Sequence, residues 1–321
     1  MTQGSETRGS VTQGSVTQGS APSRDAPAVG FVGLGHMGAP MAANVLAAGW
    51  PLAVWNRSPR AVDRLVARGA SAADSVAALR DRDVIIFMLP DLSFIDAAAQ
   101  PLLSSWRAAP PRPGTAVVVM SSVSPARVRT FGAVVGEASA GHASVVDAPV
   151  SGGTVGAENG TLAIMAGGSA QAFHDILPVL KSMGTTVRRL GDLGAGSLAK
   201  ACNQLLVGTT AAALAEAAEL AERSGLDVAA LFEVLAGGLA GSRVLDIVGP
   251  RIAVKDYAPT GPAKFMHKDL GFVIDSAVAA GSAVPMATAG HRLYGTLTAQ
   301  GLGELDLAVV RESIARLQPR L

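Results

Sequence analysis

The sequence has little of what disulfide-stabilised, metal-binding or membrane-spanning proteins require. Cys202 is the only cysteine among 321 residues, so no disulfide can form within the chain, and a reducing, cytoplasmic compartment is expected. The five histidines are scattered without the spacing of metal ligands, so we expect no metal site. No charge-free apolar run reaches the length of about 18 residues that suggests a membrane span.

The charges give no preference for a polyanionic partner. Lysine and arginine number 26, and aspartate and glutamate 25, so we expect neither nucleic acid nor a membrane as partner. Hydrophobic residues make up 49% of the chain, which is enough apolar material for large cores. The length favours two domains.

The first 26 residues differ in composition from the rest. They contain the tetrapeptide TQGS three times and almost no large apolar residue. They lack the apolar core of a secretion signal. Because they cannot bury enough surface to offset the entropy lost on ordering, we expect residues 1–26 to form a disordered tail.

Between residues 27 and 192, short apolar segments alternate with segments of helical periodicity. The predicted strands lie at 29–32, 51–58, 83–90, 115–122, 143–153, 161–168 and 185–191. Strands that are apolar throughout and alternate with helices are typical of a mostly parallel sheet covered on both faces. The sequence thus predicts an α/β fold with an N-terminal, Rossmann-type doubly wound sheet that forms a dinucleotide-binding domain.

After Gly191 the strand pattern ends. Residues 194–318 contain helical segments separated by glycine, aspartate and proline, beginning with the alanine- and leucine-rich stretch 194–225. This change predicts a domain boundary near residue 192 and a C-terminal, all-helical domain over residues 193–321.

The first predicted strand leads into a glycine-rich loop at the start of a helix. Gly33, Gly35 and Gly38 have the G-x-G-x-x-G spacing of dinucleotide-binding loops. The first glycine permits a tight turn, the second admits a pyrophosphate, and the third lets strand and helix pack closely. The helix N-terminus offers N–H groups to the phosphates. The predicted cofactor loop comprises the three glycines with Leu34, His36 and Met37.

The end of the second strand indicates which dinucleotide is bound. NAD-binding folds place a carboxylate there, about 20 residues beyond the glycines, whereas this chain has Asn56, Arg57 and Ser58. Arg57 can pair with a 2′-phosphate, so NADP(H) is favoured over NAD(H). The alternative is that Arg57 is a solvated surface residue. Leu89 and Pro90, which end the strand at 83–90, complete the predicted cofactor site.

Three polar residues interrupt the apolar stretch 194–225. Lys200 precedes Asn203 by three residues and Gln204 by four, which on a helix places them on one face. A helix that is apolar nearly all round is expected to be buried. Lys200 must then find a partner, reach a cavity or lower its pKa, unless it extends to water. We predict that Lys200 lies at the domain junction and exchanges a proton with the substrate.

A second segment of small residues has the composition of an anion site. Ser151, Gly152 and Gly153 follow a predicted strand, and successive small residues can turn several main-chain N–H groups toward a carboxylate. An ordinary glycine turn explains the same residues equally well, so both interpretations stay open at this point.

Four segments together resemble one protein family. They are GFVGLGHMGAPMAANVLAAG (30–49), DAPVSGGTVGAENGTLAIMAGG (147–168), GAGSLAKACNQ (194–204) and FMHKDL (265–270). These segments are similar to those of the β-hydroxyacid dehydrogenases, the relatives of 3-hydroxyisobutyrate and 6-phosphogluconate dehydrogenases. The similarity extends from residue 28 to about residue 315.

The resemblance implies roles for particular residues. Lys200 would be the catalytic acid and base, and Lys268 would close on the cofactor. Ser122 would lie near the nicotinamide and contact the substrate. The remaining substrate contacts implied by the resemblance are Ser151, Gly152, Gly153, Asn203 and Gln204. It also implies subunit contacts through the helical domain, in a homodimer or homotetramer.

Finer features distinguish branches of this family. The segments MSSVSP and GGLAGSRVLDIVGPRI, with Asn203-Gln204, are most similar to the branch that reduces tartronate semialdehyde to glycerate with NADPH. Many members have asparagine in place of Gln204, which disfavours a 3-hydroxyisobutyrate dehydrogenase without removing it as an alternative. Lys200 disfavours an imine reductase, whose residue there is typically not lysine. A non-catalytic NADP-binding module is the remaining alternative.

Overall fold

The computed structural model of the protein describes residues 26–317. The predicted disordered tail, residues 1–26, lies outside the described residues except for Ala26. The described chain forms one large sheet flanked by helices, followed by an assembly of helices alone. This confirms the predicted fold class.

The sheet contains nine strands in the described chain, ordered β3-β2-β1-β4-β5-β6-β8-β7, with β9 paired to β8. The strands are β1 (Val29–Val32), β2 (Leu52–Trp55), β3 (Ser71–Ala72), β4 (Val84–Phe87), β5 (Thr115–Val119), β6 (Ala143–Asp147), β7 (Val150–Ser151), β8 (Leu162–Gly167) and β9 (Gly184–Gly191). Strands β1 to β6 pair in parallel. Strand β8 is antiparallel to β6 and β7 and parallel to β9. The order reverses between β1 and β4, where open sheets of this kind bind nucleotides.

Helices cover both faces of the sheet. They are α1 (Gly38–Ala47), α2 (Pro59–Val66), α3 (Leu92–Ala108), α4 (Pro125–Ala138), α5 (Gly153–Glu158) and α6 (Ala170–Lys181). Two separate apolar cores result, one on each face. Helix α3 lies between two predicted strands and continues through Pro101, although proline usually ends a helix.

The strand predicted over 143–153 is wrong in its second half. Strand β6 ends at Asp147, β7 covers only Val150–Ser151, and helix α5 begins at Gly153. Gly152 and Gly153 have positive φ angles of 137° and 63°, which turn the chain out of the strand conformation.

The C-terminal part consists of helices packed around their own core. They are α7 (Ala195–Arg223), α8 (Val228–Ala236), α9 (Arg243–Val254), α10 (Lys264–Ala280), α11 (Pro285–Ala299) and α12 (Val310–Ala315). Helix α9 lies within the region predicted to be helical and contains Pro250. None of the helices between residues 26 and 317 combines the length and the apolar character of a membrane span.

Helix α7 corrects the expectation of a wholly buried helix. Its alanine face, with Ala211, Ala215 and Ala218, is buried in the helical core. The opposite face carries Leu206 and Leu220, which are 66% and 70% exposed. The helix is apolar nearly all round, but neighbouring elements among residues 26–317 cover only one side of it.

Candidate active site

The glycine loop has the close contacts that its spacing predicts. Gly33 has φ +99°, and a Cβ there would overlap the main-chain oxygen of Met88. A Cβ on Gly38 would overlap the main-chain oxygen of Gly33, so strand β1 and helix α1 pack too closely for any side chain at this position. A Cβ on Gly35, in contrast, would meet nothing within 4 Å. Gly35 therefore faces open space at the N-terminus of α1, which fits the approach of a pyrophosphate.

Asn56 holds the glycine loop against the end of β2. Its Oδ1 accepts the main-chain N–H of Leu34 at 2.9 Å, and its Nδ2 donates to the main-chain oxygen of Ser58 at 3.1 Å. Both polar atoms of Asn56 thus shape the loop. Arg57 and His36 are exposed at the same edge.

Lys268 joins the helical part to the ends of two strands. Its Nζ, on helix α10, donates to the main-chain oxygen of Ser122 at 2.9 Å and to that of Pro90 at 3.3 Å. The main-chain N–H of Leu89 donates to Ser121 Oγ at 2.9 Å, which links the two loops. Leu89, Pro90, Ser122 and Lys268 therefore lie together at the C-terminal edge of the sheet.

Lys200 is buried on the second turn of α7. Its Nζ donates to Asn203 Oδ1 at 3.3 Å, so the predicted one-face arrangement is present. Burial lowers the pKa of Lys200 from 10.5 to about 8, while the charge of Asp269 raises it and that of Lys268 lowers it further. At this pKa both the protonated and the neutral amine are present near neutral pH.

Gln204 contacts a carboxylate that the sequence analysis did not identify. Its Nε2 donates to Asp269 Oδ2 at 2.8 Å, across 65 residues of chain. Asp269 follows Lys268 on α10 and is only 5% exposed. The FMHKDL segment contains Asp269, but spacing alone gave no reason to place it beside Gln204.

A small cavity of about 10 Å³ lies at this junction, which is space for about one water molecule. The residues that line it are Ser122, Val123, Ser197, Lys200, Ala201, Gln204, Asp269 and Phe272. Asn203 is absent from this lining and reaches the site through its hydrogen bond to Lys200. Ser151, Gly152 and Gly153 do not line the cavity either. They lie at the end of β7 and the start of α5, and helix α7 contacts β7.

Asp147 fixes the first turn of α7. This buried carboxylate, at the end of β6, accepts the main-chain N–H groups of Gly194 at 2.8 Å and Ser197 at 2.5 Å. Burial raises its pKa, and these hydrogen bonds partly oppose that effect. Gly196 adds to the close packing, because a Cβ there would overlap the main-chain oxygen of Met165. The segment GAGS thus allows the helix to begin directly on the sheet.

The geometry defines a class of protein. A glycine loop at the reversal point of a parallel sheet lies in the same structure as a buried lysine with a lowered pKa at the sheet edge. This combination is that of a dinucleotide-dependent oxidoreductase.

Two family models match the chain. The NAD binding domain of 6-phosphogluconate dehydrogenase matches residues 28–191. The NAD-binding domain of NADP-dependent 3-hydroxyisobutyrate dehydrogenase matches residues 194–313. Together they cover both the sheet and the helical part.

Named relatives extend over nearly the whole chain. The NAD-dependent L-serine dehydrogenase of Pseudomonas aeruginosa is 38% identical over 285 residues, which is 86% of this chain and 94% of that protein. The 2-hydroxy-3-oxopropionate reductase of Escherichia coli is 32% identical, with coverage of 87% and 94%. The structure of Mycobacterium tuberculosis 3-hydroxyisobutyrate dehydrogenase with L-serine has a TM-score of 0.78 and 31% identity, covering 91% of this chain and 100% of that one.

The chain belongs to the β-hydroxyacid dehydrogenase family. It is an NAD(P)-dependent dehydrogenase or reductase of small 3-hydroxy acids. This confirms the predicted family and enzyme class.

Proposed function

We propose that this enzyme reduces tartronate semialdehyde (2-hydroxy-3-oxopropionate) to glycerate with NADPH, using Lys200 as the acid and base. The observation that carries the proposal is the buried Lys200, whose pKa is about 8, in a cavity shared with Ser122 and Gln204. The E. coli reductase named for this substrate is among the relatives of the chain, which supports the choice.

Lys200 supplies the proton. In the reducing direction its ammonium group donates a proton to the substrate carbonyl oxygen as negative charge develops there. In the oxidising direction the neutral amine removes the hydroxyl proton. Asn203, which accepts a hydrogen bond from Lys200, orients the amine and contacts the substrate. General acid–base catalysis of this kind contributes about 10²- to 10⁴-fold to the rate.

The substrate carboxylate is held away from the reacting carbon. We assign this role to the main-chain N–H groups of Ser151, Gly152 and Gly153, where the positive φ angles of both glycines bend the chain into a concave turn. Anchoring one end of a three-carbon acid fixes the other end against Lys200, and such orientation lowers the barrier by several kcal/mol.

The residues that would hold the cofactor form a continuous edge. The loop 33–38 would receive the pyrophosphate, Asn56, Arg57 and Ser58 the adenosine ribose, and Leu89, Pro90, Ser122 and Lys268 the nicotinamide end. The nicotinamide, when bound, supplies or accepts the hydride.

The preference for NADP(H) over NAD(H) rests on Arg57. This arginine is exposed at the end of β2, where its guanidinium group can form two hydrogen bonds with a 2′-phosphate. The residues 56–58 include no carboxylate to bind a free 2′-hydroxyl. A 38% identical relative is named as NAD-dependent. Comparing the activity of this enzyme with NADPH and with NADH therefore tests the role assigned to Arg57.

A second candidate is the oxidation of another 3-hydroxy acid, such as 3-hydroxyisobutyrate. The 31% identical protein of M. tuberculosis that bears this name matches 91% of the chain, which favours it as the runner-up. Both candidates use Lys200 in the same way and differ only in the group on the second carbon of the substrate.

The quaternary and cellular assignments are also proposals. Leu198, Leu206 and Leu220 lie exposed on α7, which supports a homodimer or homotetramer joined through the helical domain. We place the division of the chain at residues 27–192 and 193–321, where strand β9 ends and α7 begins. A cytoplasmic location fits the exposed thiol of Cys202.

The test is the oxidation of NADPH, followed by absorbance, with tartronate semialdehyde and the purified enzyme. Rapid turnover that Lys200→Ala abolishes, with NADPH binding retained, is the expected result. Undiminished turnover by Lys200→Ala would contradict the mechanism. Turnover only with 3-hydroxyisobutyrate and NADP⁺ would replace the substrate with the second candidate.

A further inference from the structure

One carboxylate oxygen in the active-site cavity lacks a hydrogen-bond donor. Asp269 Oδ2 accepts from Gln204 Nε2, but Oδ1 is fully buried and accepts no hydrogen bond from any side chain or main-chain group of residues 26–317. Lys268 Nζ lies 3.4 Å from Oδ1, an ion-pair distance, while its hydrogen bonds go to Pro90 and Ser122. A buried acceptor without a donor is costly, so this oxygen is suited to receive a donor from a ligand.

The position of Asp269 limits which part of a substrate reaches it. Asp269 lines the same cavity as Lys200, and its charge raises the pKa of the lysine. A substrate carboxylate is repelled by Asp269 and must lie elsewhere. The third carbon of the substrate faces Lys200: in the aldehyde form its oxygen is only an acceptor, and in the alcohol form its hydroxyl donates to the neutral amine of Lys200. The donor for Asp269 Oδ1 must therefore come from the second carbon.

We propose that Asp269 selects 3-hydroxy acids, and the matching 3-oxo acids, that carry a hydrogen-bond donor on the second carbon. A hydroxyl or an ammonium group at this carbon donates to Asp269 Oδ1. A methyl group or a hydrogen atom leaves the oxygen unpaired after water has been displaced. This inference rests on the proposed function, because it uses Lys200 to define where the third carbon lies.

Gln204 is the positioning residue for this selection. Its amide holds Oδ2 at 2.8 Å and thereby restricts the rotation of the Asp269 carboxylate, which lines the cavity. The cation of Lys268 lies 3.4 Å from Oδ1 and attracts the carboxylate, while it donates to the main-chain oxygens of Pro90 and Ser122. Glutamine at position 204, where many family members have asparagine, thus has a structural consequence: its amide binds the Asp269 carboxylate.

The experiment compares kcat/KM, with NADP⁺, for glycerate, L-serine, 3-hydroxyisobutyrate and 3-hydroxypropionate. These acids carry a hydroxyl, an ammonium, a methyl and a hydrogen on the second carbon. The variants are Asp269→Asn and Asp269→Ala, with Asp275→Asn as the matched control, because Asp275 is an exposed aspartate on the same helix. The ratio of kcat/KM between two substrates of the same variant is compared, because any effect of the substitution on Lys200 changes both values equally and cancels.

We expect the unmodified enzyme to prefer glycerate or serine over 3-hydroxypropionate, by about ten- to a hundredfold. Asp269→Ala should remove the preference, and Asp269→Asn should weaken it more for serine than for glycerate, since a neutral oxygen accepts from a hydroxyl but attracts an ammonium less. Asp275→Asn should leave the ratios unchanged. A preference for glycerate alone identifies the hydroxyl as the donor, and one for serine alone identifies the ammonium.

Binding without turnover provides a second readout. In the unmodified enzyme, glycerate should raise the melting temperature more than 3-hydroxypropionate does. In Asp269→Ala the two acids should raise it equally. Equal kcat/KM values for all four acids in the unmodified enzyme would overturn the inference. So would a variant Asp269→Asn that binds NADP⁺ more weakly but keeps the kcat/KM ratios between the acids unchanged. If none of the acids reacts, the proposed function itself fails, and the binding comparison still decides the role of Asp269.

Discussion

The main-chain N–H of Gly194 donates to Asp147 Oδ1 at 2.8 Å, so the end of a sheet strand holds the first turn of the helix that carries Lys200. Gly194 is the last residue before α7 and cannot cap the helix with a side chain of its own. Asp147 performs this function from another element. Lys200, the proposed catalytic residue, is thereby attached to the sheet within two helical turns.

Asp147→Ala should destabilise the protein strongly. Two buried N–H groups lose their acceptor, and each unsatisfied group costs about 1–3 kcal/mol, so we expect a loss of about 2–6 kcal/mol in the free energy of unfolding. Urea denaturation measures the change. Asp192→Ala is the control, because the Asp192 side chain is 94% exposed and should change stability by less than about 0.5 kcal/mol. Equal effects of the two variants would show that Asp147 does not hold α7.

The activity should depend on pH in opposite ways for the two directions. Lys200 has a pKa of about 8, and reduction requires its protonated form, so kcat/KM for reduction should fall as the pH rises through about 8. Oxidation requires the neutral amine and should rise over the same range. Asp269→Asn should move both transitions to lower pH, because the charge of Asp269 raises the lysine pKa. Transitions that stay in place in this variant would mean that Asp269 does not act on the titrating group.

Lys200→Met should yield an inactive but more stable protein. Burial lowers the pKa of Lys200 from 10.5 to about 8, and this difference corresponds to about 3 kcal/mol that the charged lysine costs the folded state below pH 8. Between pH 8 and 10.5 the unfolded chain binds more protons than the folded one, so the stability of the unmodified enzyme rises with pH. The gain from Lys200→Met should therefore shrink across this range in denaturant titrations. Lys181→Met, at an exposed position of α6, is the control and should give no such gain.

Two glycines of the cofactor loop should respond differently to the same substitution. Gly38→Ala places a Cβ against the main-chain oxygen of Gly33 and should lower the melting temperature. Gly35→Ala meets no protein atom within 4 Å, so the fold should be retained while NADPH binding is lost. Calorimetric titration with NADPH and thermal denaturation separate the two effects. Full NADPH affinity in Gly35→Ala would place the pyrophosphate elsewhere.

Arg57→Gln should reduce the preference for NADPH over NADH. A bidentate pair with the 2′-phosphate is lost, while NADH, which has no such phosphate, is unaffected, so the ratio of kcat/KM values should fall about tenfold or more. The control is Arg68→Gln, an exposed arginine beyond the end of α2. An unchanged ratio in Arg57→Gln would make Arg57 an ordinary surface residue.

The sheet was predictable because burial on both faces requires continuous apolar strands. The segment at 29–32 coincides with β1, and those at 115–122 and 185–191 contain most of β5 and β9. Helices α3, α6 and α9 each contain a proline, which tertiary packing tolerates here although local propensity does not favour it, so the bounds of these helices do not follow from propensity alone.

The candidate site was predictable only where its residues are close in the sequence. Lys200 and Asn203 form a helical pair three residues apart, and the structure places them in contact. Asp269 and Asp147 act across 65 and 47 residues, on Gln204 and Gly194. Helical spacing carries no information about such distant partners. The contacts of both carboxylates are therefore seen only in the folded structure.

Helix α7 spans 29 residues and is therefore about 43 Å long. Only three residues separate it from the last strand, and Asp147 clamps its start, so Lys200 behaves as a rigid extension of the sheet. Asp269 and Lys268 lie on α10, and the side chain of Lys268 reaches the sheet edge at Pro90 and Ser122. The proposed proton donor and the proposed selecting aspartate thus lie on two different helices, α7 and α10, which the hydrogen bond between Gln204 and Asp269 joins. Substitutions on α10 should therefore alter the choice of acid more readily than the attachment of Lys200 to the sheet.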